Sequence, residues 1–149
     1  MADIALVWDG LNGRADFAVQ NGDLVMDHGL RSALILSLFC DRLAAASDVL
    51  PDGGTDRRGW WADSVPAIGG GFDLTGSRLW LLSRALQTNE TLRLAEAYAR
   101  EATRWMLAGN VAKAVTPIAS WPRRYWLRLD ITIEQPDGPS RYDLEWSAT

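Results

Sequence analysis

The chain has 149 residues, 48% of them hydrophobic, with a single cysteine, a single histidine and a formal net charge of −4. This is enough apolar material for one core of ordinary size, and the acidic balance excludes a general nucleic-acid binder, which needs a basic face to displace counterions. A lone cysteine excludes an internal disulfide and fits a reducing compartment.

Met1-Ala-Asp-Ile has neither the basic start nor the apolar run of a signal peptide. The longest strongly apolar run, Ala33 to Cys40, is too short to cross a bilayer. The expectation is a protein made and folded in a cytoplasm, with no membrane partner. Eight tryptophans against three phenylalanines and three tyrosines is an unusual balance. It suits interface anchoring as well as core filling.

The opening reads as a small β-meander. Asp3 to Trp8 is a strand ended by Asp9-Gly10. Asn12-Gly13 and Asn21-Gly22 are turn dipeptides around a second strand, Asp16 to Gln20, and Asp23 to Met26 adds a third. Asp27 is the expected N-cap of a helix reaching Leu43. Leu30, Leu34 and Leu38 form one i,i+4 row, and Ile35, Phe39 and Leu43 the next. Ala33, Leu36 and Cys40 widen the apolar surface, so this helix is expected to be the central core element. Cys40 reads as a small hydrophobe within it.

Pro51 to Asp63 follows neither the helix nor the strand period. It holds Arg57, Arg58, Trp60 and Trp61. An indole has a large apolar face and one donor, so it usually packs. Arginine favours bidentate or stacked contacts. Two readings stay open: the indoles dock on this chain's own core, or Arg57, Arg58 and one indole face another chain. The arginines are expected on carboxylates or carbonyls, of a partner or of the chain's own helix ends.

Val65 to Thr75 reads as a loop. A helix is expected from Thr75 or Ser77 to about Leu86, with Leu79, Leu82 and Leu86 on one face. Thr88 or Asn89 caps another, running to Leu107 and stopping at Gly109. Its apolar face is Leu92, Ala95, Ala99 and Ala102 with Trp105 and Met106. Glu96 and Arg100 form an i,i+4 pair on the solvated side.

The remainder reads as β. Val111 to Val115 is a short run, and Trp121-Pro-Arg-Arg marks an edge. Leu127, Leu129, Ile131 and Ile133 alternate with polar residues, the period of a strand with one buried face. Pro136 to Pro139 turns the chain. Tyr142, Leu144 and Trp146 then alternate with Arg141, Asp143 and Glu145 in a return strand. The expected fold is α+β: a small single domain over residues 1–149. A central buried helix and two further helices would pack on a sheet built from the N-terminal meander and the C-terminal hairpin. Residues 140–149 form a possible edge strand, open to pairing with another chain.

No catalytic constellation stands out. His28 reads as local polarity at a helix start. One histidine and one cysteine do not make a zinc site. There is no phosphate-binding glycine loop and no nucleophile elbow. Asp48, Asp52, Asp56 and Asp63 lack the spacing of a calcium loop. The sequence points to no catalytic residues, no cofactor and no metal.

The order of segments carries a resemblance. Asn21-Gly-Asp-Leu leads into the apolar helix Gly29 to Arg42. Leu50-Pro-Asp-Gly, Asp56-Arg-Arg-Gly-Trp-Trp-Ala-Asp63 and Gly76-Ser-Arg-Leu-Trp-Leu-Leu82 follow. Ala95-Glu-Ala-Tyr-Ala-Arg-Glu-Ala102 and a β-rich end complete the pattern. From about Asp3 to Gly138 the chain resembles the Mu-like phage baseplate protein family, which is related to the wedge and sheath-initiating proteins of contractile tails. The resemblance implies a structural subunit in the virion tail baseplate, present in several copies around the tail axis. Its implied partners are baseplate wedge proteins and the tail sheath and tube proteins, met on a β surface; the residue reading places the candidate partner surfaces at Arg57, Arg58, Trp60, Trp61 and at the return strand Arg141, Tyr142, Asp143, Leu144, Glu145, Trp146. Relatives in the wider group carry a Glu-Pro-Arg motif after their last helix; here Trp105 to Ala112 has none. Some relatives are labelled lysozyme-like, so a small cell-wall muramidase is the alternative function.

Overall fold

The fold is that of a computed structural model describing residues 3–27, 29–65 and 74–149. His28 and most of the loop expected at Val65 to Thr75 lie outside the described residues. The architecture is α+β, as expected.

The C-terminal sheet is the platform. Strands β7 (Ala114–Arg123), β8 (Trp126–Gln135) and β9 (Gly138–Ser147) form one antiparallel sheet in the order β7-β8-β9. The period-two pattern of β8 sends Leu127, Leu129, Ile131 and Ile133 into the core, each at most 1% exposed. Gln135 pairs with Gly138 across a tight turn, where Gly138 takes a φ of 126° that a side chain disfavours.

Helix α1 (Arg31–Phe39) lies in the core through Leu34, Ile35 and Leu38. The N-cap residue is Leu30 and not the expected Asp27, which lies a turn earlier; the Asp27 carboxylate still accepts from the Ser32 amide at 2.8 Å and the Gly29 amide at 2.8 Å. The helix stops earlier than expected, because another segment takes its last carbonyls. The Ser77 amide donates to the Cys40 carbonyl at 2.9 Å, and the Ser77 hydroxyl donates to that of Leu38. Gly76, with φ of 87°, sits so close that a Cβ there would be 2.1 Å from the Cys40 oxygen. Leu43, assigned to the apolar row, is consequently outside the helix and largely exposed.

The helix expected from Thr75 to Leu86 is a correction. Only one 3-10 turn forms, Leu79–Leu82. Serine side chains compete for the backbone at both ends: the Leu79 amide donates to the Ser77 hydroxyl oxygen at 3.1 Å, and the Ser83 hydroxyl donates to the Trp80 carbonyl at 2.7 Å. Arg84 then adopts a left-handed φ of 63° and ties to the Ala148 carbonyl at 2.8 Å.

Helix α2 (Asn89–Ala102) starts where the Thr88 hydroxyl oxygen accepts from the Thr91 amide at 3.2 Å. Ala95, Ala99 and Ala102 are buried, and their small side chains let the helix lie close to β7. It breaks at Thr103, whose hydroxyl donates to the Ala99 carbonyl at 2.8 Å, and a short α3 (Arg104–Ala108) continues to Gly109. Glu96 does more than face solvent: Oε1 accepts from the Ala119 amide of β7 at 3.1 Å.

The N-terminal strands do not enter the C-terminal ladder, a second correction. They form three two-stranded ladders: β1 (Asp3–Ile4) with β6 (Met26–Asp27), β2 (Leu6–Asp9) with β3 (Arg14–Phe17), and β4 (Val19–Gln20) with β5 (Asp23–Leu24). The three meet at a junction closed by a ring of backbone bonds. Ala5 N–H donates to Val25 at 2.8 Å, Ala18 N–H to Ala5 at 2.8 Å, and Val25 N–H to Ala18 at 2.9 Å. The six strands thus pair only among themselves, and none joins the β7-β8-β9 ladder. Leu6 and Trp8 alone of this module pack against the core cluster.

Candidate functional site

The Arg57–Trp61 stretch is held by its own chain. The Arg57 guanidinium donates to the carbonyls of Ala45 and Ala46, and its own carbonyl accepts from the Ala44 amide at 3.0 Å. Arg58, at a left-handed φ of 52°, pairs with Asp41 at 2.7 Å and stacks 4.5 Å over the Trp80 ring. Trp80 in turn donates to the Arg42 carbonyl at 2.9 Å. The arginines therefore occupy the self-bracing half of the expectation. The indoles do the opposite of packing on the core: Trp60 is 47% and Trp61 76% exposed. They stand 5.8 Å apart and line one shallow depression with exposed Leu43.

Beneath this loop lies a polar network that sequence reasoning missed. Arg78 donates to Asp48 at 3.0 Å and to Glu101 at 2.9 Å and lies over the Tyr98 ring. Burial opposes the guanidinium's charge, but the bonds and charges of Glu101 and Asp48 outweigh it and hold its pKa above the ordinary value. The three residues are far apart in sequence, so no local pattern announces them.

Strand β9 divides by parity. Tyr142, Leu144 and Trp146 point inward. The Tyr142 hydroxyl oxygen accepts from the Leu30 amide at 3.1 Å, Leu144 is buried, and Trp146 meets Phe39 edge-on at 5.3 Å. Arg141, Asp143 and Glu145 face outward. There Arg128 reaches Asp130 at 2.7 Å and Glu145 at 3.2 Å, while Arg123 lies 3.5 Å from Glu145 and 3.8 Å over Trp126.

The outer edge of β9 is half covered. Trp8 Nε1 donates to the Glu145 carbonyl at 2.9 Å, and the Ser147 amide donates to the Gly10 carbonyl at 2.9 Å. These bonds show that odd-numbered residues turn their backbone groups outward. Among the described residues, none bonds the outward amide or carbonyl of Arg141 or Asp143. That short stretch is an open strand edge, guarded by charge and ended by Pro139, which has no amide.

A cleft of about 710 Å³ opens between α1 and α2–α3, with Ser37, Arg42, Glu101 and Trp105 among its walls. The Trp105 indole donates to the Ser37 hydroxyl at 2.9 Å. Cys40 sits near one end, half-buried, its thiol pushed up by burial and then by the charges of Asp41 and Asp63. Such a thiol is a poor nucleophile. Among the described residues no cluster of histidine, cysteine and carboxylates is arranged to hold a metal. Among them too, no helix is long and apolar enough to cross a membrane.

The unit is thus α+β, with a braced loop, two exposed indoles and an open strand edge. Residues 30–140 match the family described as phage protein GP46. The chain is 43% identical over 138 residues to the baseplate protein gp46 of Escherichia phage Mu, covering 93% of this chain and 90% of that protein. It is 39% identical over 150 residues to the Mu-like prophage FluMu protein gp46 of Haemophilus influenzae, covering 99% of each. The chain belongs to this family of Mu-like phage baseplate proteins.

Proposed function

We propose that this chain is a structural subunit of a contractile tail baseplate that joins wedge proteins and initiates sheath assembly. Family membership supports the baseplate setting. The single observation that carries the finer reading is the open edge at Arg141 and Asp143 on β9, next to the stretch of the same edge that Trp8 and Gly10 cover. An extended arm of a sheath subunit adds there as a further strand: backbone pairing supplies affinity and alternate side chains set register. Exposed Trp60 and Trp61 form the second contact, toward a wedge or tube protein. Several copies stand around the tail axis. Nucleic acid, membrane and cofactor have no part, and the subunit folds in the host cytoplasm before it is assembled.

The chain works by docking, without catalysis. A muramidase needs two carboxyl groups framed across a cleft, one of them with a raised pKa, and the acidic residue at the large cleft, Glu101, is committed to Arg78. Disrupting the gene in the phage or prophage that encodes it should yield tails without sheath, and the wild-type chain should co-purify with baseplates. Sheathed tails from the disrupted phage, or release of peptidoglycan fragments by the purified chain, would overturn the proposal.

A further inference from the structure

The three-way junction of the N-terminal strands arranges its side chains by face. Cross-strand partners share a face, and the pairs are Ile4 with Met26, Leu6 with Phe17, and Val19 with Leu24. Alternation through the junction residues Ala5, Ala18 and Val25 brings all three pairs to the same side. Leu6 turns into the core. The other side chains run outward from it, and Phe17 (58%), Val19 (65%), Leu24 (49%) and Met26 (46%) are exposed. A contiguous apolar patch continuous with the core is the mark of an interaction site.

The charge of the same module says what fits. Residues 3–27 carry five aspartates and one arginine, a net −4, which equals the charge of the whole chain and leaves the rest balanced. Asp3, Asp16 and Asp23 are exposed on the opposite side of these single-layer ladders. A second copy would bring two such acidic modules together. A cationic partner neutralises one, and the field of this module steers it in.

We propose that the Phe17–Val19–Leu24–Met26 face is a docking surface for a basic, amphipathic segment of another protein, its apolar side chains on this face and its positive charge drawn in by the field of the acidic module. The surface is separate from the open β9 edge and does not depend on what pairs there.

The full chain, labelled with nitrogen-15, is titrated with a short peptide of alternating valine and lysine and, in parallel, with one carrying glutamate for lysine. Amide shifts confined to residues 3–27, seen with the lysine peptide alone and fading as salt rises, are expected. Phe17→Ser with Val19→Ser should weaken binding about tenfold or more, the scale of losing two apolar anchors. Asp16→Asn with Asp23→Asn should weaken it while leaving the apolar face intact. All four positions are exposed, so unchanged melts will show that both variants fold. Equal binding of the two peptides, shifts centred on the C-terminal sheet, parent-like affinity in either variant, self-association through this face, or binding of phosphatidylcholine vesicles in its place would overturn the proposal.

Discussion

Gly10 and Glu145 touch backbone to backbone: a Cβ on Gly10 would fall 1.9 Å from the Glu145 carbonyl oxygen. The same carbonyl accepts the Trp8 indole N–H, and the Gly10 carbonyl accepts the Ser147 amide. This contact joins the N-terminal ladders to the last strand of the sheet. Gly10→Ala should force the two apart and cost about 1–3 kcal/mol, the range for overpacking. A thermal melt that does not move would show that the hairpin rests on β9 more loosely than these distances require.

Leu34 is wholly buried among Ile35, Leu38 and the sheet residues. Leu34→Ala removes volume from a close-packed site and should lower stability by about 2–5 kcal/mol. Denaturant unfolding reads this directly, and a loss well under 1 kcal/mol would argue against α1 as the centre of the core.

Arg78 binds two carboxylates that are themselves mostly covered. Arg78→Met leaves Asp48 without its cation and Glu101 with only Arg42, 4.0 Å away. A loss of about 1–3 kcal/mol is expected, less than for a fully buried pair because water still reaches the site. Restoring part of it by Asp48→Asn in the same chain would show that the cost is the stranded charge.

Asp9 sets a pH dependence. Its carboxylate accepts from the Asn12 side chain at 2.7 Å and from the Asn12 and Leu11 amides, each at 3.1 Å. The Asn12 side-chain bond, then the Asn12 amide, hold its pKa below the ordinary 3.8 against a small opposing effect of burial. A lowered carboxylate pKa stabilises the fold fully above the unfolded value, and that contribution disappears as pH falls through the folded value. Amide signals of the β2–β3 hairpin should therefore loosen in acid below about 3.8, and Asp9→Asn should flatten that change.

Strands and caps with local causes were legible in the sequence. The alternation of Leu127 to Ile133 marked β8 and its buried face, and of the two caps offered for α2, Thr88 or Asn89, Thr88 is the one used, while Asp27 holds amides at the approach to α1 without being its cap residue. Long-range contacts were not legible. Nothing near Cys40 announces that Ser77 and Gly76 will cut the helix short, and nothing near Leu79 announces that Ser77 and Ser83 will hold it to one turn. The chain from Asp3 to Asp27 has the turns of a meander, but the ring formed by Ala5, Ala18 and Val25 depends on three strand crossings that no local pattern encodes. For Arg57 and Arg58 the sequence left own-chain and partner contacts both open, and the contacts to Asp41, Trp80 and the Ala45 carbonyl come from parts of the chain that no local pattern links to them. Residues 140–149 read from the sequence as an edge strand, which deletion of Ser140 to Thr149 would remove. With Leu144 buried and Trp146 against Phe39, that deletion would open the core.

A single backbone change therefore tests the strand-addition claim more cleanly than a truncation. Arg141 turns its amide outward, so Arg141→Pro removes one donor from the open edge without touching the β8 ladder, a position where an edge strand tolerates proline. Purified tails of the variant phage, viewed by electron microscopy, give the answer. The account predicts a chain with an unchanged melt that is present in baseplates bearing bare tubes. Full-length sheathed tails at wild-type yield would contradict it.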